Sequence, residues 1–270
     1  MTAIMDQAFE ILPGDSSRAL VLLADHAMNR VPDPYGNLGL PDSAFARHIA
    51  YDIGVEGLVR GLAERLQVPA VMATFSRLLI DPNRGEDDPT LIMKLSDGAV
   101  IPSNHPLTPE EREKRLENWH RPYHRAVEKT IADIEAASGR TALVISVHSF
   151  TPYWKQFARP WHAGILWDTD PRAVTPFLEL LRADKALIVG DNEPYDGALK
   201  NDCMYRHCTA KGRPHALLEI RQDLIGDDAG INAWVDRLTP MLETLNARPE
   251  LHETRLHASR ADHSEPPLPM

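Results

Sequence analysis

Apolar runs alternate with amphipathic stretches along most of this chain, and that alternation predicts its elements. Ala19-Leu20-Val21-Leu22-Leu23-Ala24 is a continuous apolar run of strand length, so a strand is expected over about 18–24. A loop rich in Pro and Gly follows from Val31 to Pro41. Ile53, Leu58, Leu62 and Leu66 then recur at near-helical spacing, and a helix is expected over about 42–66, started by Pro41-Asp42-Ser43. Strand-like segments at about 69–75 and 77–81 precede a long excursion over about 85–107, punctuated by Gly85, Pro89, Pro102 and Pro106. Thr108-Pro109-Glu110-Glu111 joins a capping residue, a proline at the first helical position and acids in the first turn. The helix it starts is expected to reach about Ala137, disturbed at Pro122. Beyond it, the pattern predicts strands at about 141–147 and 162–167, a helix at about 171–183 and a short strand at about 186–189. A strand at about 214–220 and a helix at about 228–246 complete it.

Strands alternating with helices imply a three-layer α/β/α architecture around a mixed, mainly parallel central sheet. A chain of 270 residues can fill one such core, so residues 1–246 are read as a single α/β catalytic domain. Residues 247–270 are polar, end in Pro-Pro-Leu-Pro-Met and are expected to fray.

Composition narrows the partners. No run approaches the ~20 apolar residues of a spanning helix. Met1 to Pro13 carries Asp6 and Glu10 and lacks the basic stretch and apolar core of a secretory signal, so a cytoplasmic location is expected. A net charge of −10 without a Lys/Arg cluster argues against nucleic acid or an anionic membrane as partner, yet leaves room for a local cationic pocket. Cys203 and Cys208 are not spaced as CxxC and fit a reducing compartment. A homo-oligomer is compatible with the sequence.

Candidate chemistry gathers where apolar runs end. The first strand runs into Asp25-His26, another into His148-Ser149-Phe150, and Ala216-Leu217-Leu218 leads into Glu219-Ile220-Arg221. In open α/β sheets the carboxyl ends of the strands form the ligand crevice. Two imidazoles and a carboxylate there suggest a metal-activated water, with Asp25, Asp52 and Asn29 as nearby oxygen donors. No HExxH is present, which excludes the zincin arrangement. Glu219 on a buried-type strand is either a general base or a partner of Arg221. Arg77, Asn83 and Arg84 form a donor-rich group suited to an anionic substrate; the bland alternative pairs the arginines with Glu86, Asp87 and Asp88. His120 and His124 share a helical face in Trp119-His120-Arg121-Pro122-Tyr123-His124, as metal ligands or as part of an aromatic core cluster. Tyr195 lies in a turn, Asn192-Glu193-Pro194-Tyr195-Asp196-Gly197, from which it can line the site.

Six segments in order resemble the N-formylglutamate amidohydrolase family. They are Asp25-His26-Ala27-Met28-Asn29-Arg30-Val31-Pro32, Ser76-Arg77 through Asp81-Pro82-Asn83-Arg84, Arg121-Pro122-Tyr123-His124, Ser146-Val147-His148-Ser149-Phe150, Asn192-Glu193-Pro194-Tyr195 and Glu219-Ile220-Arg221-Gln222-Asp223. The resemblance implies a phosphorylase/hydrolase-like fold similar to zinc carboxypeptidases and aspartoacylases, and one Zn2+ ion. It implies His26 and His148 as zinc ligands, Arg77 to polarise the scissile carbonyl, Asn83 and Arg84 to hold the substrate carboxylate, and Glu219 as base. His124 and Tyr195 are expected to add substrate contacts. Carboxypeptidases place a glutamate three residues after the first histidine, where this chain has Asn29. Asp52, in Ala50-Tyr51-Asp52-Ile53-Gly54, resembles an aspartate of the amidohydrolase family and is the candidate third ligand; neutral Asn29 is the poorer one. The implied reaction takes a small anionic N-acyl amino acid, N-formyl-L-glutamate first, to glutamate and formate, a step of histidine degradation. Another N-acyl amino acid or a short peptide is the nearest alternative substrate, and a non-catalytic amino-acid-binding protein on the same fold is a further one.

Overall fold

The computed structural model describes residues 7–262. Its strands are β1 (Phe9–Leu12), β2 (Leu20–Ala24), β3 (Ala70–Ala73), β4 (Leu95–Ser96), β5 (Ala99–Val100), β6 (Leu143–Phe150), β7 (Tyr153–Trp154), β8 (Phe157–Ala158), β9 (Ala163–Leu166), β10 (Val189–Asp191) and β11 (His215–Arg221). The α-helices are α1 (Val55–Leu66), α2 (Pro109–Arg115), α3 (Arg121–Ser138), α4 (Val174–Ala183), α5 (Cys203–His207) and α6 (Asp228–Asn246). Seven strands form the central sheet in the order β1-β3-β2-β6-β11-β9-β10. β3, β2, β6 and β11 are parallel, while β1 at one edge and the β9–β10 pair at the other run against them. This is the mixed, mainly parallel sheet of a three-layer domain. Among the described residues no helix is long and apolar enough to cross a membrane.

Alternation along the buried strands sorts side chains between two cores. Leu143, Ile145, Val147, Leu218 and Ile220 belong to the core shared with α1, α4 and α6. Val144 and Leu217 belong to the opposite core, with Tyr123, Val127, Ile131 and Ile134 of α3. Ser146 and His148 follow Val144 at steps of two, and Glu219 follows Leu217. Glu219 is also the register partner of His148. Both therefore present to the α3 side of the sheet near its carboxyl edge.

Several elements depart from the pattern, each for a local reason. The helix expected over 42–66 is a 3-10 turn (Asp42–Ala46), an irregular stretch, and then α1 from Val55. Gly54 stops the helix extending backward: its φ is +84°, and a Cβ there would meet the Ile225 carbonyl oxygen at 2.0 Å. Asp52 is thus left in the turn before α1, where its N–H donates to the His26 carbonyl (2.9 Å). The segment 77–81 is no strand although Leu78, Leu79 and Ile80 are fully buried. It folds as a turn, with Leu79 N–H on the Ser76 carbonyl (3.0 Å) and Asn83 N–H on Asp81 Oδ1 (2.9 Å). The long helix is disturbed just before Pro122, by a widened π turn over Leu116–His120. A proline ring crowds the carbonyl four residues back, here that of Asn118, inside the widened turn.

The excursion 85–107 contains the β4–β5 hairpin and is pinned by Asn104 and Arg115. Asn104 Nδ2 donates to the Leu78 and Met93 carbonyls (2.9 and 2.7 Å). The buried Arg115 guanidinium donates to Leu79 O, Asn104 Oδ1 and Ser103 O, and pairs with Glu111 (3.0 Å). The segment after 247, expected to fray, is packed as far as Asp262. His252 bonds the Thr141 and Asn246 carbonyls, and Arg260 pairs with Asp196 (2.7 Å) and Asp168 (3.3 Å). Residues 263–270 lie outside the described range.

Candidate active site and metal centre

The carboxyl ends of β2, β6 and β11 meet the turn before α1 and the loop after β3 around a cavity of about 300 Å³. His26, Asp52, Arg77, Asn83, Arg84, His148, Tyr195 and Glu219 all line it. These residues, far apart in sequence, are thus brought to one place.

Two histidines face a shared carboxylate at its base. His26 Nε2 donates to Asp81 Oδ1 at 2.6 Å, and its Nδ1 lies 3.5 Å from Asp52 Oδ2 without a hydrogen bond. His148 Nδ1 is 2.8 Å from the same Asp52 oxygen, and its Nε2 lies 3.2 Å from Asp25 Oδ2 and 3.1 Å from Ser146 Oγ. Asp25 is fixed in turn by the Tyr123 hydroxyl (2.7 Å). Burial opposes ionisation of Asp52, but the adjoining His26 and His148 hold its carboxyl well below the usual range. Asp81 is likewise depressed despite burial, by His26, Arg77 and Arg84. Burial works against a charge on His148, yet hydrogen bonds to Asp25 and Asp52 push it well above an ordinary imidazole.

This donor set fits a metal ion. One ligand atom each from His26, Asp52 and His148 lies within 4.8 Å of the others, all three residues being buried. Two imidazoles and a carboxylate are a common ligand set of catalytic zinc. Each ring holds its outer nitrogen on a carboxylate and turns its inner nitrogen to the centre, as metal-ligating histidines do. The buried His26 Nδ1 makes no hydrogen bond and faces Asp52, which leaves a place for an ion between them. Asn29 does not line the cavity, and its Nδ2 donates to the Phe45 carbonyl (2.7 Å). Asp52 Oδ2 instead lies 3.5 Å from His26 Nδ1 and 2.8 Å from His148 Nδ1.

Glu219 faces this centre from β11. Arg221 pairs with Asp223 (2.8 Å) rather than with Glu219, whose Oε2 is buried and unbonded. Burial pushes the Glu219 carboxyl up to about 8, against the pull of His148 and Arg77. Arg77 is held by Asp52 (3.4 Å) and Asp81 (3.1 Å), not by the acids at 86–88. Arg84 is only 3.9 Å from Asp88, while Glu86 is occupied by Arg121 (2.8 Å). Asn83 Oδ1 accepts from Cys203 N–H (3.1 Å), fixing its amide at the cavity wall.

Three participants escaped the sequence reading. Asp81, in Asp81-Pro82-Asn83-Arg84, holds His26 (2.6 Å). Asp202 caps α5 and lines the cavity, and burial pushes its carboxyl up to about 7. Arg159 follows the β7–β8 hairpin, donates to the Tyr195 hydroxyl oxygen (3.0 Å) and lies over the Tyr195 and Trp154 rings. An arginine next to Tyr153-Trp154 and Phe157 was the available signal. His124, expected near substrate, does not line the cavity; it stacks on His207 behind it.

The N-formylglutamate amidohydrolase family model matches residues 18–226. A gene product from Agrobacterium tumefaciens of known structure is 29% identical, with a TM-score of 0.82 over 89% of this chain and 95% of that one. An N-formylglutamate amidohydrolase from Ralstonia eutropha is 22% identical, with a TM-score of 0.70 over 91% of this chain and 99% of its own; at that identity the likeness is one of fold. No curated protein matches the chain.

Proposed function

We propose, since this chain belongs to the N-formylglutamate amidohydrolase family, that it is a cytoplasmic, zinc-dependent amidohydrolase removing a formyl group from an N-acyl amino acid, N-formyl-L-glutamate first. The observation carrying this reading is a partnerless buried carboxyl, Glu219, set in register beside a His26–Asp52–His148 centre. Those three residues would hold the ion, which when bound lowers the pKa of water and polarises a carbonyl.

The remaining roles fall to the chain's own side chains. Glu219 Oε2 takes a proton from the attacking water and passes it to the departing amine nitrogen. Burial raises the Glu219 carboxyl, which helps it hold the proton until the amine nitrogen takes it. Asp52 and Asp81 fix Arg77 so that its charge meets the oxyanion without rearrangement. The Asn83 amide and the Arg84 guanidinium, both at the cavity wall, bind the substrate carboxylate. Tyr195, braced by Arg159, closes the opposite side.

Cavity size favours a formyl amino acid over a peptide. About 300 Å³ is at the lower end for small-molecule pockets. A formyl group needs almost no acyl pocket. The test is zinc-loaded protein against N-formyl, N-acetyl and peptide substrates: kcat/KM is expected to be highest for N-formyl-L-glutamate, and equal turnover of peptides would overturn the assignment.

A further inference from the structure

Behind the cavity lies a second group of buried donors. His124 on α3 and Cys203 and His207 on α5 bring two imidazole nitrogens and a thiol within 4.8 Å of one another. None of the three lines the cavity. The two rings stack at 5.1 Å between centroids, 27° apart, with His124 Nδ1 2.9 Å from His207 Nε2.

The two rings meet through one pair of nitrogens and share the question of which carries the proton. Glu128 Oε2 accepts from His207 Nδ1 at 3.0 Å, and Arg213 at 3.2 Å keeps Glu128 a carboxylate. His207 Nδ1 therefore carries that ring's proton, and Nε2 turns a lone pair toward His124. If His124 is protonated at Nδ1, it satisfies His207, but its own Nε2 becomes a buried lone pair with no donor, beside the Pro82 carbonyl. If the proton is on Nε2, two lone pairs face each other at 2.9 Å. Protonating both nitrogens puts a charge where burial and the neighbouring His120 and His207 disfavour it. A His207 imidazolium would pair with Glu128 and donate to His124 Nδ1, but it places a charge where burial disfavours it. A cation among the inner nitrogens and the Cys203 sulfur takes the place of the proton between the rings, with the outer nitrogen of His207 anchored on a carboxylate as in a metal site.

We propose that His124, Cys203 and His207 form a second metal site for a borderline divalent ion, zinc before others. Two imidazoles and a thiolate suit zinc, and coordination displaces the Cys203 thiol proton to solvent. The ion ties α5 to α3. Asp202, the residue capping α5, and Leu199 just before it both line the cavity, so the ion stiffens that wall. The site does not depend on the proposed reaction.

The test is metal content and sulfur coordination in the purified full chain. About two zinc ions per chain are expected, with one sulfur scatterer at about 2.3 Å per two zinc ions in the zinc-edge spectrum. Cobalt-substituted protein should show a thiolate-to-cobalt charge-transfer band. His26→Ala should lose one equivalent and keep the band; Cys203→Ala should lose the band and the other equivalent while keeping the first. A zinc shell of nitrogen and oxygen only in the wild type would overturn the proposal whether or not Cys203→Ala folds, and so would a band that survives Cys203→Ala. Failure of the catalytic reading alone leaves the sulfur signal in place.

Discussion

At the scale of single residues, the site is decided by what lies behind its ligands. His26 donates to Asp81 and His148 to Asp25, so both imidazoles turn a fixed nitrogen toward Asp52. Asp81→Asn keeps the shape and weakens the hold on His26. We expect metal affinity to fall by roughly 10- to 100-fold, the usual worth of such a support. Competition with a chelating dye measures it, and unchanged affinity would dismiss Asp81 from this role. Arg84 makes no closer ion pair than 3.9 Å and is available to substrate. Arg84→Ala should raise KM more than it lowers kcat, by an amount worth on the order of 2 kcal/mol or more for a charge-assisted pair. An amidated substrate should lose a similar factor with the wild type, and equal turnover of acid and amide would exclude carboxylate capture here. The residues reachable from sequence were those whose types stand out, His26, His148 and Glu219 at strand ends and the donor group Arg77, Asn83 and Arg84, all of which line the cavity. Asp202 and Arg159 were not, because the first matters through a helix cap and the second through packing on residues distant in the chain.

At the scale of elements, the apolar pattern located strands and helices wherever pairing and burial coincide. The helix expected at 228–246 spans Asp228–Asn246, because a capping Asp227 and the buried Trp234, Leu238, Leu242 and Leu245 specify the same object. Leu78-Leu79-Ile80 misled because burial alone does not require a strand partner; side chains can be buried from a turn. The excursion and the tail could not be read locally, since their order comes from charged side chains reaching far along the chain. Arg115 ties the excursion down, and replacing it with alanine leaves Asn104 and two carbonyls without their donor. A loss of about 3–5 kcal/mol is expected, with faster amide exchange over 85–107. Stability within 1 kcal/mol of wild type would contradict this. The tail is held by a buried Asp170–Arg172 pair (2.6 Å), with Arg172 also donating to the Arg255 carbonyl. Burial resists ionisation of Asp170, but the Arg172 hydrogen bonds hold its carboxyl below the ordinary 3.8. Its contribution is therefore full above pH 3.8 and is lost as pH falls through the lower folded value. Asp170→Asn should cost stability at neutral pH, and the gap to wild type should narrow below that pH in urea titrations. A pH-independent gap would show that charge is not the cause.

At the scale of the whole molecule, the sheet explains why distant segments cooperate. Parallel β2, β6 and β11 end at one edge, and alternation turns His148 and Glu219 to the same side of it. The carboxylates gathered there are the groups the proposed ion would meet in the folded protein. At a free metal concentration of about 100 times Kd, the native state should gain about 2.7 kcal/mol, seen as a rise in Tm that a chelator reverses. No rise in Tm would remove the metal from the account. The central claim is that Glu219 moves the proton while the ion stays where it is, and Glu219→Gln isolates it. The most direct measurement is kcat together with bound metal on one preparation of that variant. The account expects wild-type metal content, a folded protein and kcat lower by roughly 10²–10⁴; a kcat within about threefold of wild type at equal metal content would contradict it.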